Sequence, residues 1–340
     1  MPVSIKDVAR AAGVSHSTVS RALHDSPLIS HETKARINLL AEKMGYTPSA
    51  IARGLVTRRS ATIGLVVTTI ADPFIAEVVQ GIEETALSHH YNAILCNSNS
   101  EPERELKTVR ALREKRVDAI IVTSSRLGSL YLDHLREVGV PIVLINNQSA
   151  GAYTHSVLID DLHGGELAGR YLLSQGHHQI AYIAGPSWAH ASAIRLAGLR
   201  RALQAQGLDL PPALVLEGNG RSDGGVTAAS EILRRGLPVS AVFCYNDMTA
   251  IGVLSAFHRV GRRIPDDLSV IGYDDVAMAA YAVPPLTTIA QPKYALGKRA
   301  MEMALALIAG EPDVRDVILS PALVERESVN RNAENPKIDR

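Results

Sequence analysis

The chain has 340 residues, 46% hydrophobic and 21% charged, so it can bury cores and is not a disordered chain. No apolar run reaches the ~18–20 residues of a membrane span; the longest, Val138–Ile145, is broken by Gly139 and Pro141. Cys96 and Cys244 are too few for a disulfide scaffold, and their strand-like surroundings predict buried thiols in a reducing cytoplasm. Lys6, Asp7 and Arg10 break up the N-terminus, which does not read as a secretory leader. The net charge of zero conceals a partition. Residues 1–60 carry nine Lys/Arg against four Asp/Glu, and the remainder 26 against 31, so a head of +5 precedes a body of −5. A basic head suits a polyanion.

The head reads as three short helices. Ser4 and Asp7 have the spacing of a capping box, and Ile5, Val8, Ala9 and Ala12 then recur on one helical face. Gly13 suits a tight turn. Ser15 caps a second helix running to about Leu23 with Val19 and Leu23 inward. A third starts near Ser30, with a stripe of Ile37, Leu40, Ala41 and Met44, and ends at Gly45. Helix, turn, helix and supporting helix predict a helix-turn-helix domain over 1–48. On the second helix the outward positions are His16, Ser17 and Arg21, candidates for base edges in a major groove. Ser4, Ser15, Thr18, Thr33, Lys34 and Tyr46 are candidates for phosphate contacts, which orient without specifying sequence.

The run Ile5–Ser15, with Thr18–Leu23 after it, resembles the DNA-binding head of the lactose/purine repressor family. The likeness continues through Gly45–Leu55 and into the body at Gly198, Val270–Asp275 and Leu286–Ile289, covering nearly the whole chain to Val329. The segment 49–60 then reads as a hinge helix and linker. It is too short to be stable alone in water, and Gly54 weakens it further. The resemblance implies that paired hinges fold on DNA, with Leu55 wedging into the minor groove at the central step and Arg53 on phosphate. The plainer reading of Leu55 is a buried linker leucine.

From Ala61 strands and helices alternate: strands near 63–67, 93–96, 119–122, 142–145, 157–159, 180–183, 241–244, 270–273 and 317–319, with intervening helices that include Leu130–Val138, Gly165–Ser174, Gly225–Arg234 and Tyr294–Ala309. Two such sets predict an α/β body of two lobes with doubly wound parallel sheets, like a periplasmic sugar-binding protein. By resemblance the first lobe takes 61–159 and 292–319, the second 160–291 and 320–329, and 330–340 is a polar tail. Ligands in open α/β sheets sit beyond the carboxyl ends of the strands. There lie Asp72, Ser124, Asn146, Asp160, Asn246 and Asp274, with Trp188 in a loop and Arg195 on a helix. Carboxylates, amides and a guanidinium bind vicinal hydroxyls, and an aromatic face packs on a pyranose. The same polar residue types after a strand also cap the next helix, and Trp188 also reads as a rim hydrophobe.

The resemblance pairs Arg195 with Asp274 as effector contacts and makes Phe74 a pocket aromatic. Where the purine repressor has arginine, threonine and phenylalanine, this chain has Ala189, Ala191 and Gly220, which favours a carbohydrate effector over a flat purine. The expected protein is a DNA-binding repressor whose operator affinity a small molecule controls; the alternative is a stand-alone sugar-binding module. A tail with Ile338 as its one sizeable apolar residue cannot form a coiled coil, so a homodimer on palindromic double-stranded DNA is expected. No Walker loop, nucleophile elbow or H-E-x-x-H occurs, so no enzyme, cofactor or metal is expected.

Overall fold

A computed structural model describes residues 3–46, 59–125, 127, 139–147 and 155–332. The expected hinge, with Arg53 and Leu55, and the helix expected at Leu130–Val138 lie outside the described residues. The chain divides into two compact units at Ala61.

The head unit is α1 (Ile5–Ala12), α2 (His16–Leu23) and α3 (His31–Lys43). Val8, Ala9, Ala12, Val19, Ala22, Ile37 and Ala41 form its core, with Leu23, Leu40, Met44 and Tyr46 packed against it. Gly13 takes φ 67°, which ends α1 and releases the chain into the turn before α2.

The body unit begins with β1 (Thr62–Val67), α4 (Pro73–Ser88), β2 (Asn92–Asn97), α5 (Pro102–Glu114), β3 (Ala119–Thr123), β4 (Ile142–Ile145) and β5 (Ser156–Ile159). It continues with α6 (Asp161–Ser174), β6 (Ile180–Ile183), α7 (His190–Gln204), β7 (Val215–Leu216), α8 (Ser222–Arg235), β8 (Ala241–Cys244), α9 (Asp247–Arg259), β9 (Ser269–Asp274) and β10 (Thr287–Ala290). Last come α10 (Lys293–Ala309), β11 (Val317–Leu319) and β12 (Ala322–Val324). The strands form two six-stranded sheets, β11-β5-β4-β3-β1-β2 and β12-β10-β9-β8-β6-β7. The pairings are parallel except that β12 runs antiparallel to β10.

Both faces of each sheet are covered, and the period-two alternation of strands explains how. On β1, Ile63, Leu65 and Val67 enter one core with Phe74, Ile82, Leu296 and Met301 of α4 and α10. Val66 enters the opposite core with Val109 and Leu112 of α5. Gly64 sits under Leu112, leaving no room for a Cβ. In the second sheet Ile183, Val242 and Val270 meet α8 and α9, while Tyr182, Phe243 and Tyr273 meet α6 and α7.

Three helix pairs cross through glycines whose Cβ atoms would strike the partner's backbone: Gly81 with Gly297, Gly165 with Gly198, and Gly225 with Gly252. The sequence reading starts α6 at Gly165 and α8 at Gly225; the helices begin earlier, at Asp161 and Ser222. Cys244 is buried as expected, whereas Cys96 is half-buried.

Candidate functional site

In the head, α2 exposes His16, Ser17 and Arg21 and buries Val19 and Ala22. Ser15 Oγ accepts the Thr18 N–H at 3.1 Å and lies 2.8 Å from the hydroxyls of both Ser17 and Thr18. Ser17 thus turns its hydroxyl back into the cap of its own helix. Thr33 is similarly tied to Ser30, which caps α3. The Ser4 N–H and hydroxyl both donate to the Asp7 carboxylate, at 3.0 and 2.6 Å, and hold it below the usual carboxylate range. Lys34 Nζ donates to the Asp25 carboxylate at 2.6 Å and to its carbonyl at 3.1 Å, bracing the connection between α2 and α3. Tyr46 packs on the core. His16 and Arg21 are therefore the exposed polar groups on α2 with reach beyond their own helix.

In the body, Arg195 and Asp72 both lie within electrostatic reach of Asp274. Three strand-end residues adopt the left-handed region: Ser124 at φ 45°, Asn146 at φ 53° and Asp274 at φ 116°. Such backbone strain in non-glycine residues collects at binding sites. Thr123 Oγ1, Asn146 Oδ1 and Gln291 Oε1, at the ends of β3, β4 and β10, are buried with no hydrogen-bond partner among the described residues. Buried polar atoms are normally satisfied, so each of these strand-end atoms is a candidate to meet a polar group from outside the chain.

Arg195 is the best-held group. Its Nε donates to Asp161 Oδ1 at 2.8 Å with both side chains almost wholly buried, and Nη1 donates to the Tyr245 carbonyl at 2.7 Å. Its guanidinium lies 3.6 Å from the Tyr273 ring centre and 4.9 Å from that of Tyr245. Burial opposes the charge, but Asp161 and its neighbours outweigh that and raise the Arg195 pKa. The fixed partner of Arg195 is thus Asp161, not Asp274. The Asp274 carboxylate instead accepts Gln291 Nε2 at 2.6 Å. Burial pushes its carboxyl well above the usual range, opposed by Arg195 and reinforced by Asp247 and by Asp72 of the other lobe.

Several candidates also act as caps. Asp72 accepts the Phe74 N–H at 3.0 Å, Asp160 the His163 N–H at 2.9 Å, and Asn246 the Thr249 N–H at 3.0 Å. Asn246 Nδ2 donates to the Gly220 carbonyl. Phe74 is buried in the first-lobe core, 8% exposed, and Trp188 is half-buried in the loop before α7. The sequence reading missed Asp161, Tyr245, Tyr273, Gln291 and Lys293. Lys293 Nζ donates to the carbonyls of Asp274 and Asp275 at 2.8 and 2.6 Å and pairs with Glu77 of α4 at 3.4 Å, clasping the second lobe to the first. The signal for Asp161 and Tyr245 was only their place within two residues of the ends of β5 and β8.

A basic three-helix head with an exposed turn-flanked helix, joined to a body of two six-stranded, mainly parallel α/β sheets, defines a ligand-controlled, DNA-binding transcriptional regulator. Residues 4–49 match the bacterial regulatory proteins of the lacI family, and residues 170–329 the periplasmic binding protein-like domain. The HTH-type transcriptional repressor PurR of Vibrio atlanticus (strain LGP32) is 37% identical over 328 residues, 96% of this chain and 98% of that protein. The lac repressor dimer bound to operator and the anti-inducer ONPF superposes with TM-score 0.89 at 27% identity, covering 97% of this chain and all of that one. The transcriptional regulator CelR in complex with cellobiose gives TM-score 0.74 at 31% identity, covering 96% and 99%. The chain belongs to the lactose/purine repressor family of bacterial transcriptional regulators.

Proposed function

We propose that this regulator is a homodimeric repressor whose operator affinity is set by a carbohydrate held between its two lobes. The observations that carry the effector class are the buried atoms Thr123 Oγ1, Asn146 Oδ1 and Gln291 Oε1, unpartnered among the described residues at strand ends, and the buried Arg195 guanidinium with Asp161 and Asp274 within reach of its charge. Vicinal hydroxyls, each donor and acceptor at once, satisfy such a set. Arg195, Asp274, Asp72, Ser124, Asn146 and Asp160 would hold the hydroxyls, Trp188 would pack on the ring, and Asn246 and Phe74 would support the walls. The cellobiose complex of a 31% identical regulator supports the same chemistry. A purine is the competing reading, favoured by the 37% identity to a repressor named PurR.

In the head, His16 and Arg21 would read base edges with Ser17 beside them. Ser4, Ser15, Thr18, Thr33, Tyr46 and Arg53 would hold phosphates, and Leu55 would act as a minor-groove wedge. We assign 1–48 to the head, 49–60 to the hinge, 61–159 with 292–319 to the first lobe, and 160–291 with 320–329 to the second. Exposed Tyr281 and Val283, beside Met278, offer an apolar face for the second copy that a palindromic site requires. Bound sugar would favour a lobe arrangement in which paired hinges do not form, weakening operator binding. Gel shifts of the full chain on its upstream region, with sugars and with hypoxanthine added, test this. Release of a specific complex by a sugar is expected. A complex that hypoxanthine tightens and no sugar affects would overturn the carbohydrate assignment.

A further inference from the structure

We propose that Tyr245 is a second stacking face of the effector site, in addition to Trp188, and that Gly185 and Gly220 are glycines because they make room for its ring. The inference rests on the carbohydrate reading above. A Cβ on Gly185 would lie 2.8 Å from three atoms of the Tyr245 ring, and one on Gly220 would lie 3.3 Å from its Cε1. Gly220 also has φ +75°, which L side chains rarely adopt. The ring is thus wedged between the loops that follow β6 and β7, and it fills space that a side chain at 220 would claim.

Its other surroundings suit a sugar. One neighbour is the Arg195 guanidinium, 4.9 Å from the ring centre, whose Nη1 also anchors the Tyr245 carbonyl. Asp274, Asp161 and Asp72 lie close enough for their charges to reach the Tyr245 hydroxyl. Burial pushes that hydroxyl up to about 12, so it remains a neutral donor. An aromatic ring with a guanidinium over it and carboxylates within electrostatic reach offers its remaining apolar surface to the C–H face of a pyranose, with polar groups beside it for the equatorial hydroxyls. Tyr245 directly follows β8 and is half-buried, so it belongs to a rigid strand end rather than to a long loop.

Calorimetric titration of the full chain with methyl glucoside, cellobiose and hypoxanthine tests the assignment, with each variant first shown to retain wild-type operator binding without effector. Tyr245→Phe should keep the sugar affinity within about twofold, and Tyr245→Leu should lose about tenfold or more. Gly185→Ala, which leaves the tyrosine in place but displaces its ring, should lose a comparable factor. Unchanged sugar affinity in both Tyr245→Leu and Gly185→Ala, or a loss confined to Trp188→Leu, would overturn this inference and leave the carbohydrate reading standing. Binding of hypoxanthine alone by the wild type would overturn the carbohydrate reading and this inference with it.

Discussion

Asp161→Asn removes the carboxylate that balances the Arg195 guanidinium where Arg195 is 4% exposed and Asp161 is 1% exposed. Charges ~4 Å apart at an effective dielectric near 20 attract by ~4 kcal/mol. Measured losses when one partner of a buried pair is removed run to ~3–5 kcal/mol, because the remaining charge stays desolvated. Arg195 keeps its bond to the Tyr245 carbonyl and its place over the Tyr273 ring, and an asparagine oxygen can still accept from Nε. The expected loss is therefore at the lower end, ~3 kcal/mol, or a fall in Tm of ~6–12 °C. Urea denaturation followed by circular dichroism measures it. The double variant Asp161→Asn/Arg195→Met should lose less than the two single losses added, since no lone charge is left behind. A change below 1 kcal/mol in Asp161→Asn, or strict additivity in the cycle, would refute the reasoning.

Other substitutions test other parts of the molecule. Gly165→Ala drives a methyl into the Arg195 carbonyl across the α6–α7 crossing and should cost ~1–3 kcal/mol in urea melts; a neutral result would mean that the helices part freely. Burial raises Asp247 from 3.8 to about 7. The unfolded chain therefore loses this proton first, and stability present at pH 4 is lost as the pH rises toward 7. Asp247→Asn should flatten that slope, and an unchanged slope would place its origin elsewhere. Arg21→Ala should cost ~1–3 kcal/mol at one operator base pair, whereas Lys34→Ala, removing a lysine already tied to Asp25, should leave the salt dependence of binding unchanged. A fall of about one in the salt slope for Lys34→Ala would show that this lysine leaves Asp25 for a phosphate. Leu55→Ala should reduce operator bending in a circular-permutation assay, and an unchanged bend would deny it the wedge.

The head was legible almost residue by residue because caps, turn glycine and inward stripe all act within a few positions of one another. In the body, elements whose signal is local were readable too: β4, β6 and β8 have the same bounds in sequence and structure. The reading failed where a distant partner decides. Gly164-Gly165 and Gly224-Gly225 look like helix breakers, yet Gly165 and Gly225 lie where α7 and α9 come within backbone contact, so α6 and α8 run through them. Strands β7 and β12 are two and three residues long and acquire order from the neighbours they pair with. At the candidate site, position after a strand marked Asp72, Asp160 and Asn246 without separating a cap from a ligand, and each proved to cap its helix. Asp161 and Tyr245 were overlooked for the converse reason: their importance lies in Arg195, 34 and 50 residues further along or back.

The route of the chain between the lobes bears on how the protein is made. Leu296, Ala300, Met301 and Ala304 of α10 are part of the core beneath β1, β3, β4 and β5. During synthesis the first sheet thus emerges without one wall and waits until α10 follows, some 145 residues after β5 ends. At ~5–20 residues per second that is roughly 7–29 s with an apolar face bare on the ribosome, an interval in which a chaperone has reason to attend.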